Sequence, residues 1–178
     1  MFRKLFFVIA LSCVLAFNAN SRINDYKYLE TYLQFVPAAF MLGAGCVGVK
    51  CEHNLTDRLV NTSVSFLAQT AITYPLKWTI RELRPDGSAY NSFPSGHTAA
   101  AFTGAELIRQ EYGWGWGSVF YANAVAVAAL RAVHRRHWWW DTMAGAGIGI
   151  FSAWVGRWTT DRIRMSLAPD GFSLIYKF

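Results

Sequence analysis

The sequence predicts an all-α protein, a polytopic membrane bundle of about six transmembrane helices. Three observations carry that prediction. Runs without a single Asp, Glu, Lys or Arg recur along the 178 residues, at Leu5–Ser21, Tyr32–Val49, Leu59–Leu76, Tyr112–Leu130 and Thr142–Gly156. A helix that crosses a bilayer needs about 20 mostly apolar residues, and several of these runs approach that length. Charged residues make up only 16% of the chain and hydrophobic ones 53%, where soluble domains carry about 25% charge. Finally, no apolar–polar alternation of the kind that marks half-buried strands competes with the helical reading. The mean hydropathy of +0.19 is modest and leaves a soluble helical bundle as the alternative. One domain fits the length.

Each element has its own justification. Arg3 and Lys4 precede an apolar stretch over 5–20, with Val14-Leu15-Ala16 and Ala19 as candidate cleavage sites; residues 1–20 read as a signal peptide or as a first transmembrane helix. Residues 21–178 then form the membrane domain. Its helices are expected at about 32–49, 59–80, 97–110, 115–134 and 142–159. The 59–80 helix carries Asn61, Thr62, Ser63, Ser65, Gln69 and Thr70, which suit a bundle interior better than lipid. The 97–110 helix is built from Ala99, Ala100, Ala101, Gly104 and Ala105, small residues that permit close packing. It also holds Glu106, which places it centrally. Gly145, Gly147 and Gly149 give the last helix the same small-residue character. Pro85 and Asp86-Gly87 end the 59–80 helix, and Asp141 is placed to cap the last one.

The net charge of +6 and a pI near 9.4 do not point to nucleic acid. The basic residues lie at the ends of apolar runs, without a basic face or a nucleic-acid motif, so membrane lipids are the expected partners. Cys13, Cys46 and Cys51 form no Cys-x-x-Cys pair, and neither a zinc site nor any other metal or cofactor is implied. With the N-terminus inside, Arg3, Lys4, Lys50, Arg58, Arg109, Arg157, Arg162, Arg164 and Lys177 fall on the inner side. Arg22, Lys27, Arg81, Arg135 and Arg136 fall outside, candidate site residues set aside. Nine against five favours this orientation under the positive-inside rule.

Three stretches then converge on the outer face: Lys77-x6-Arg84-Pro85, Pro94-Ser95-Gly96-His97, and Arg131-x5-His137-x3-Asp141. Taken singly each has a plain structural reading. Lys77 and Arg84 could snorkel from a helix end, Pro-Ser-Gly is ordinary turn chemistry, and His53 and His134 are read as structural. Trp138, Trp139 and Trp140, with Trp114 and Trp116 at the opposite end of the 115–134 helix, read as interfacial belts. Together the residues make chemical sense around a phosphate. Three cations can neutralise charge on non-bridging oxygens, while the Ser95 hydroxyl and N–H groups at a helix start add donors. His137 can attack phosphorus if its other ring nitrogen is held, and Asp141 lies one helical turn on. His97 is left to protonate the departing alkoxide.

At these residues the sequence resembles the type 2 phosphatidic acid phosphatase superfamily. Its signature runs Lys-x6-Arg-Pro, Pro-Ser-Gly-His and Ser-Arg-x5-His-x3-Asp. The spacing matches throughout Lys77–Asp141, with Leu130 standing where the family has Ser. The resemblance implies a six-span membrane phosphatase that works without metal through a phosphohistidine. It makes His137 the nucleophile, Asp141 its orienting partner and His97 the general acid, with Lys77, Arg84, Ser95, Gly96 and Arg131 binding the phosphate. The expected substrate is an envelope lipid phosphate at the periplasmic face of a bacterial inner membrane. Lipid A is favoured over undecaprenyl diphosphate and phosphatidylglycerol phosphate. A lipid-to-lipid phosphotransferase with the same site is the alternative, and a non-catalytic lipid-phosphate binder a more distant one. Oligomeric state is left open.

Overall fold

The computed structural model describes residues 26–168 and 171–176; the expected first helix at 5–20 lies outside them. The elements in order are α1 (Tyr26–Leu33), α2 (Val36–Gly43), a 3-10 turn (Ala44–Val47), α3 (Leu55–Ile80), α4 (Gly96–Tyr112), α5 (Trp114–Val133) and α6 (Trp139–Arg162). An antiparallel hairpin follows, β1 (Ile163–Ala168) and β2 (Gly171–Tyr176), in register Ile163↔Tyr176.

The helical bundle is the architecture expected, with two local differences. The run 32–49 is not one helix. Pro37 in the first turn of α2 lacks the N–H that would continue α1 into it, and Gly48 ends the 3-10 turn at φ +80°. The C-terminal hairpin was also not foreseen. Its signal is local: Ser166 and Ser173 sit between apolar neighbours on either side of Pro169-Asp170-Gly171, a pattern shorter than the windows that mark helices.

α4 is the central element, packed on α2, α3, α5 and α6. Ala99, Ala101, Ala105, Leu107 and Ile108 are completely buried. Glu106 is buried too, held by Arg109 Nε at 2.7 Å and the Tyr121 hydroxyl at 2.6 Å. Small residues set how closely α6 approaches: a Cβ on Gly145 would meet the Ser95 carbonyl oxygen at 2.5 Å, and one on Gly149 would run into the Ala99 carbonyl. Gly147, two residues between them, faces open space, as the helical period requires.

α3 is inverted relative to a soluble helix. Asn61, Thr62, Ser65, Gln69 and Thr73 point inward, whereas Leu59, Leu67, Tyr74 and Trp78 are exposed. Ser63 and Thr70, expected inside, fall on the exposed face, and Thr70 satisfies its hydroxyl on the Phe66 carbonyl at 2.7 Å. Among the described helices only Trp114–Val133 is both long and apolar enough to cross a membrane by composition. α3 and α6 have the length, 26 and 24 residues, but their buried polar faces lower their average.

Candidate active site

Four helix ends and two loops build the site. α3 ends at Arg81 in the left-handed region, φ +46°, and the chain runs through residues 82–95 to α4. The loop after α5 crosses it. Asp86 N donates to the Arg135 carbonyl at 3.1 Å, Arg135 Nη2 to the Pro85 carbonyl at 3.2 Å, and Arg136 pairs with Asp86 at 3.3 Å. Ser95 N donates to the Asp141 carbonyl at 3.0 Å, joining the starts of α4 and α6.

The tryptophans do more than form a belt. Trp138 and Trp140 stack with ring centroids 5.1 Å apart. Trp138 Nε1 donates to the Leu83 carbonyl and Trp140 Nε1 to Glu82 Oε1, both at 2.9 Å. The Trp138–Trp140 stack therefore clamps the segment that carries Arg84. Trp139 alone of the three is mainly exposed, at 62%.

Residues of all three sequence stretches line one cavity, and the others sit beside those that do. Lys77, in the last turn of α3, donates through Nζ to the Asn91 and Ser92 carbonyls at 2.8 and 3.4 Å. Arg84 turns its guanidinium inward, its Nε buried and without a partner among the described residues. Ser95 caps α4, accepting from Thr98 N at 3.4 Å and sharing a hydrogen with the Thr98 hydroxyl at 2.9 Å. His97 follows Gly96 in the first turn of α4, its Nε2 at 3.5 Å from Thr31 Oγ1. Arg131 closes α5, with Nη2 3.2 Å from His137 Nε2. A cavity of about 400 Å³ is lined by Lys77, Arg84, Gly96, His97 and Arg131. It continues past Thr73, Gln69 and Phe66 of α3 towards Gln34 and Phe35.

His137 and Asp141 lie behind Arg131, both buried. Arginine has only donors, so its contact at Nε2 requires the lone pair there and places the ring hydrogen on Nδ1. Nδ1 faces Asp141 Oδ2 at 3.5 Å. Burial holds His137 below the ordinary histidine range; the nearby Asp141 carboxylate opposes this, and the charges of Arg131 and Lys77 reinforce it. Asp141 is not the first cap of its helix as expected. α6 starts two residues earlier, so the carboxylate reaches back and Oδ2 accepts from Trp138 N at 2.9 Å. The same oxygen accepts from the buried Ser92 hydroxyl.

Ser92 and Glu30 are the residues that sequence reasoning missed. Ser92 belongs to no periodic pattern and could have been found only as a hydroxyl inside the motif-bearing loop. Glu30 is a lone carboxylate beside the uncharged run 32–49. It takes Arg131 Nη1 on one oxygen and His134 Nδ1 on the other, each at 2.7 Å. His53, at the opposite end of the bundle, is held by Glu111 at 2.7 Å.

Fold and site together define a helical bundle with a cation-lined pocket beside a buried imidazole. The family model for the PAP2 superfamily matches residues 58–164, all three motif stretches included, and the chain belongs to that superfamily. It is 32% identical to the lipid A 1-phosphatase of Porphyromonas gingivalis over 93% of this chain and 40% of that protein. The chain thus spans about two fifths of the length of that curated relative. Its fold is similar to the crystal structure of Aquifex aeolicus LpxE, with a TM-score of 0.58 and 19% identity over 86% of this chain and 93% of that one.

Proposed function

We propose that this protein is a metal-independent lipid phosphatase of the envelope, acting through a phosphohistidine on a phosphate monoester or diphosphate. The observation that carries the reading is His137 Nε2, set against Arg131 at a pocket where Lys77, Arg84 and Arg131 supply positive charge, with Asp141 behind the ring. In the first step Nε2 bonds to phosphorus as the P–O bond to the lipid breaks, and His97 gives its proton to the leaving oxygen. In the second, His97 takes a proton from water, the water oxygen bonds to phosphorus, and the P–N bond breaks to release phosphate. The cations hold the non-bridging oxygens throughout, where charge stabilisation is worth most.

Lipid A is the substrate we favour, supported by the activity named for the Porphyromonas gingivalis relative. The reading places the enzyme in a bacterial inner membrane with the pocket facing the periplasm. The test is phosphate release in detergent from lipid A, undecaprenyl diphosphate and phosphatidylglycerol phosphate, with excess chelator in one arm and vanadate in another. Release fastest from lipid A, unchanged by chelator and blocked by vanadate, is the expected result. Activity lost to chelator and restored by magnesium overturns the metal-free mechanism, and no release from any lipid overturns the phosphatase.

A further inference from the structure

We propose that Glu30 is a positioning residue of the active site, setting the Arg131 guanidinium against the nucleophilic nitrogen of His137. The inference rests on the phosphatase reading above and adds to it a residue outside the three motifs.

Glu30 lies on α1, 1% exposed, more than a hundred residues from its partners in sequence. A carboxylate at such depth is costly unless both oxygens are satisfied. Here both are, by Arg131 Nη1 and His134 Nδ1 at 2.7 Å each. The two partners flank the end of α5, one in its last turn and one just beyond it. Glu30 therefore ties α1 to the last turn of α5 and to the start of the loop towards His137.

The consequence for chemistry follows from the shape of arginine. A guanidinium is planar and its donors form a rigid fork. Once Glu30 holds Nη1, the directions of Nη2 and Nε are set. Nη2 meets His137 Nε2 at 3.2 Å, and Nε is buried without a partner among the described residues. Nη2 thus donates to the lone pair that must reach phosphorus. A phosphate oxygen arriving in the pocket can take over that N–H, which frees the lone pair and binds the phosphoryl group in one movement. Lys77 differs: its Nζ bonds to two loop carbonyls. Among the described contacts of the three motif cations, only that of Arg131 is an ion pair with a carboxylate.

The test uses the full chain in detergent, with turnover of an aryl phosphate and affinity for orthovanadate as readouts. Glu30→Gln should lower kcat and vanadate affinity in parallel by about 10- to 100-fold, less than the ~10²–10³ expected for removing an oxyanion donor outright. KM should change little, because orientation matters most in the transition state. On an Arg131→Ala background the same change should cost nothing further, since its effect runs through Arg131. Additive losses, or wild-type kcat and vanadate affinity in folded Glu30→Gln protein, overturn the proposal. If Glu30→Gln does not fold, Glu30→Asp, which keeps the charge but shortens its reach, should show the parallel loss, and wild-type values there overturn it equally. A wild-type protein that neither binds vanadate nor turns over overturns the phosphatase reading itself and the role of Glu30 with it. A competent wild type matched by its variants overturns the role of Glu30 alone.

Discussion

At the scale of single residues, the two histidines of the pocket differ in what surrounds them, and their loss should differ accordingly. His137 has Asp141 behind one nitrogen and Arg131 against the other, the setting of a nucleophile, so His137→Ala should abolish turnover of every substrate. His97 borders the cavity from the first turn of α4 and, as the proposed general acid, is needed only when the leaving oxygen departs badly. His97→Ala should lose about 10²–10⁴-fold on a lipid alkyl phosphate and much less on an aryl phosphate. Equal losses on both esters, with turnover surviving in His137→Ala, would reverse the roles. The pH profile follows from the same surroundings. In the proposed mechanism His137 attacks as the neutral base, and burial holds it below the ordinary range. Its neutral form therefore persists as pH falls, and the acidic limb of kcat/KM should lie below about 6.5. The Asp141 carboxylate beside the ring raises the His137 pKa, so Asp141→Asn should move that limb lower still while slowing the reaction. Comparing the two profiles cancels the substrate's own ionisation; a limb that moves upward in Asp141→Asn would contradict the assignment.

At the scale of elements, α3 to α6 were legible because long uncharged runs, small-residue stripes and turn residues all mark the same boundaries. The three motifs were legible because spacing along a helix end is written directly in sequence. What surrounds them was not. Ser92 reaches Asp141, and Glu30 reaches Arg131, only after α1, α5 and α6 have packed, and no local pattern encodes such a contact. The break between α1 and α2 was visible in Pro37 but hidden by the apolar run around it. The glycines divide in the same way: composition marked Gly145, Gly147 and Gly149 alike, and only packing separates the two that touch α4 from the one that does not. Gly145→Val should force α6 away from the Ser95 carbonyl, at a cost of about 1–3 kcal/mol from overpacking. It should also reduce activity, because Ser95 N and the Asp141 carbonyl join the two helices there. Gly147→Val should leave both melting temperature and activity near wild type. Equal effects at the two positions in a thermal melt and a turnover assay would show that the close approach of α4 and α6 is not what holds the site.

At the scale of the whole molecule, the outside of the bundle bears on how it sits in a bilayer. Trp78, Trp138, Trp139 and Trp140 gather at the site end, while Trp114, Trp154 and Trp158 lie towards the other, with Arg109 5.3 Å above Trp114 and Arg162 4.6 Å above Trp158. Along α6, Trp140 and Trp158 are eighteen residues apart, about 27 Å at 1.5 Å per residue. That is close to the ~30 Å hydrocarbon thickness of a bilayer. Met143, Phe151 and Trp154, exposed between them, are what lipid would meet, and amphipathic rings favour the two interfaces. This spacing supports a bundle that spans the membrane with its pocket at one surface. In the proposed orientation that surface faces the periplasm, with the basic residues in excess on the other side. Ser88 tests the assignment, because it is exposed in the loop between Arg84 and the start of α4 and its side chain has no role in the pocket. In a chain with Cys13, Cys46 and Cys51 replaced, Ser88→Cys should react with an impermeant thiol reagent in intact cells once the outer membrane is permeabilised. Lysis should add little further labelling. Labelling that appears only after lysis would put the pocket on the cytoplasmic side, where a lipid phosphate of the outer leaflet could not reach it.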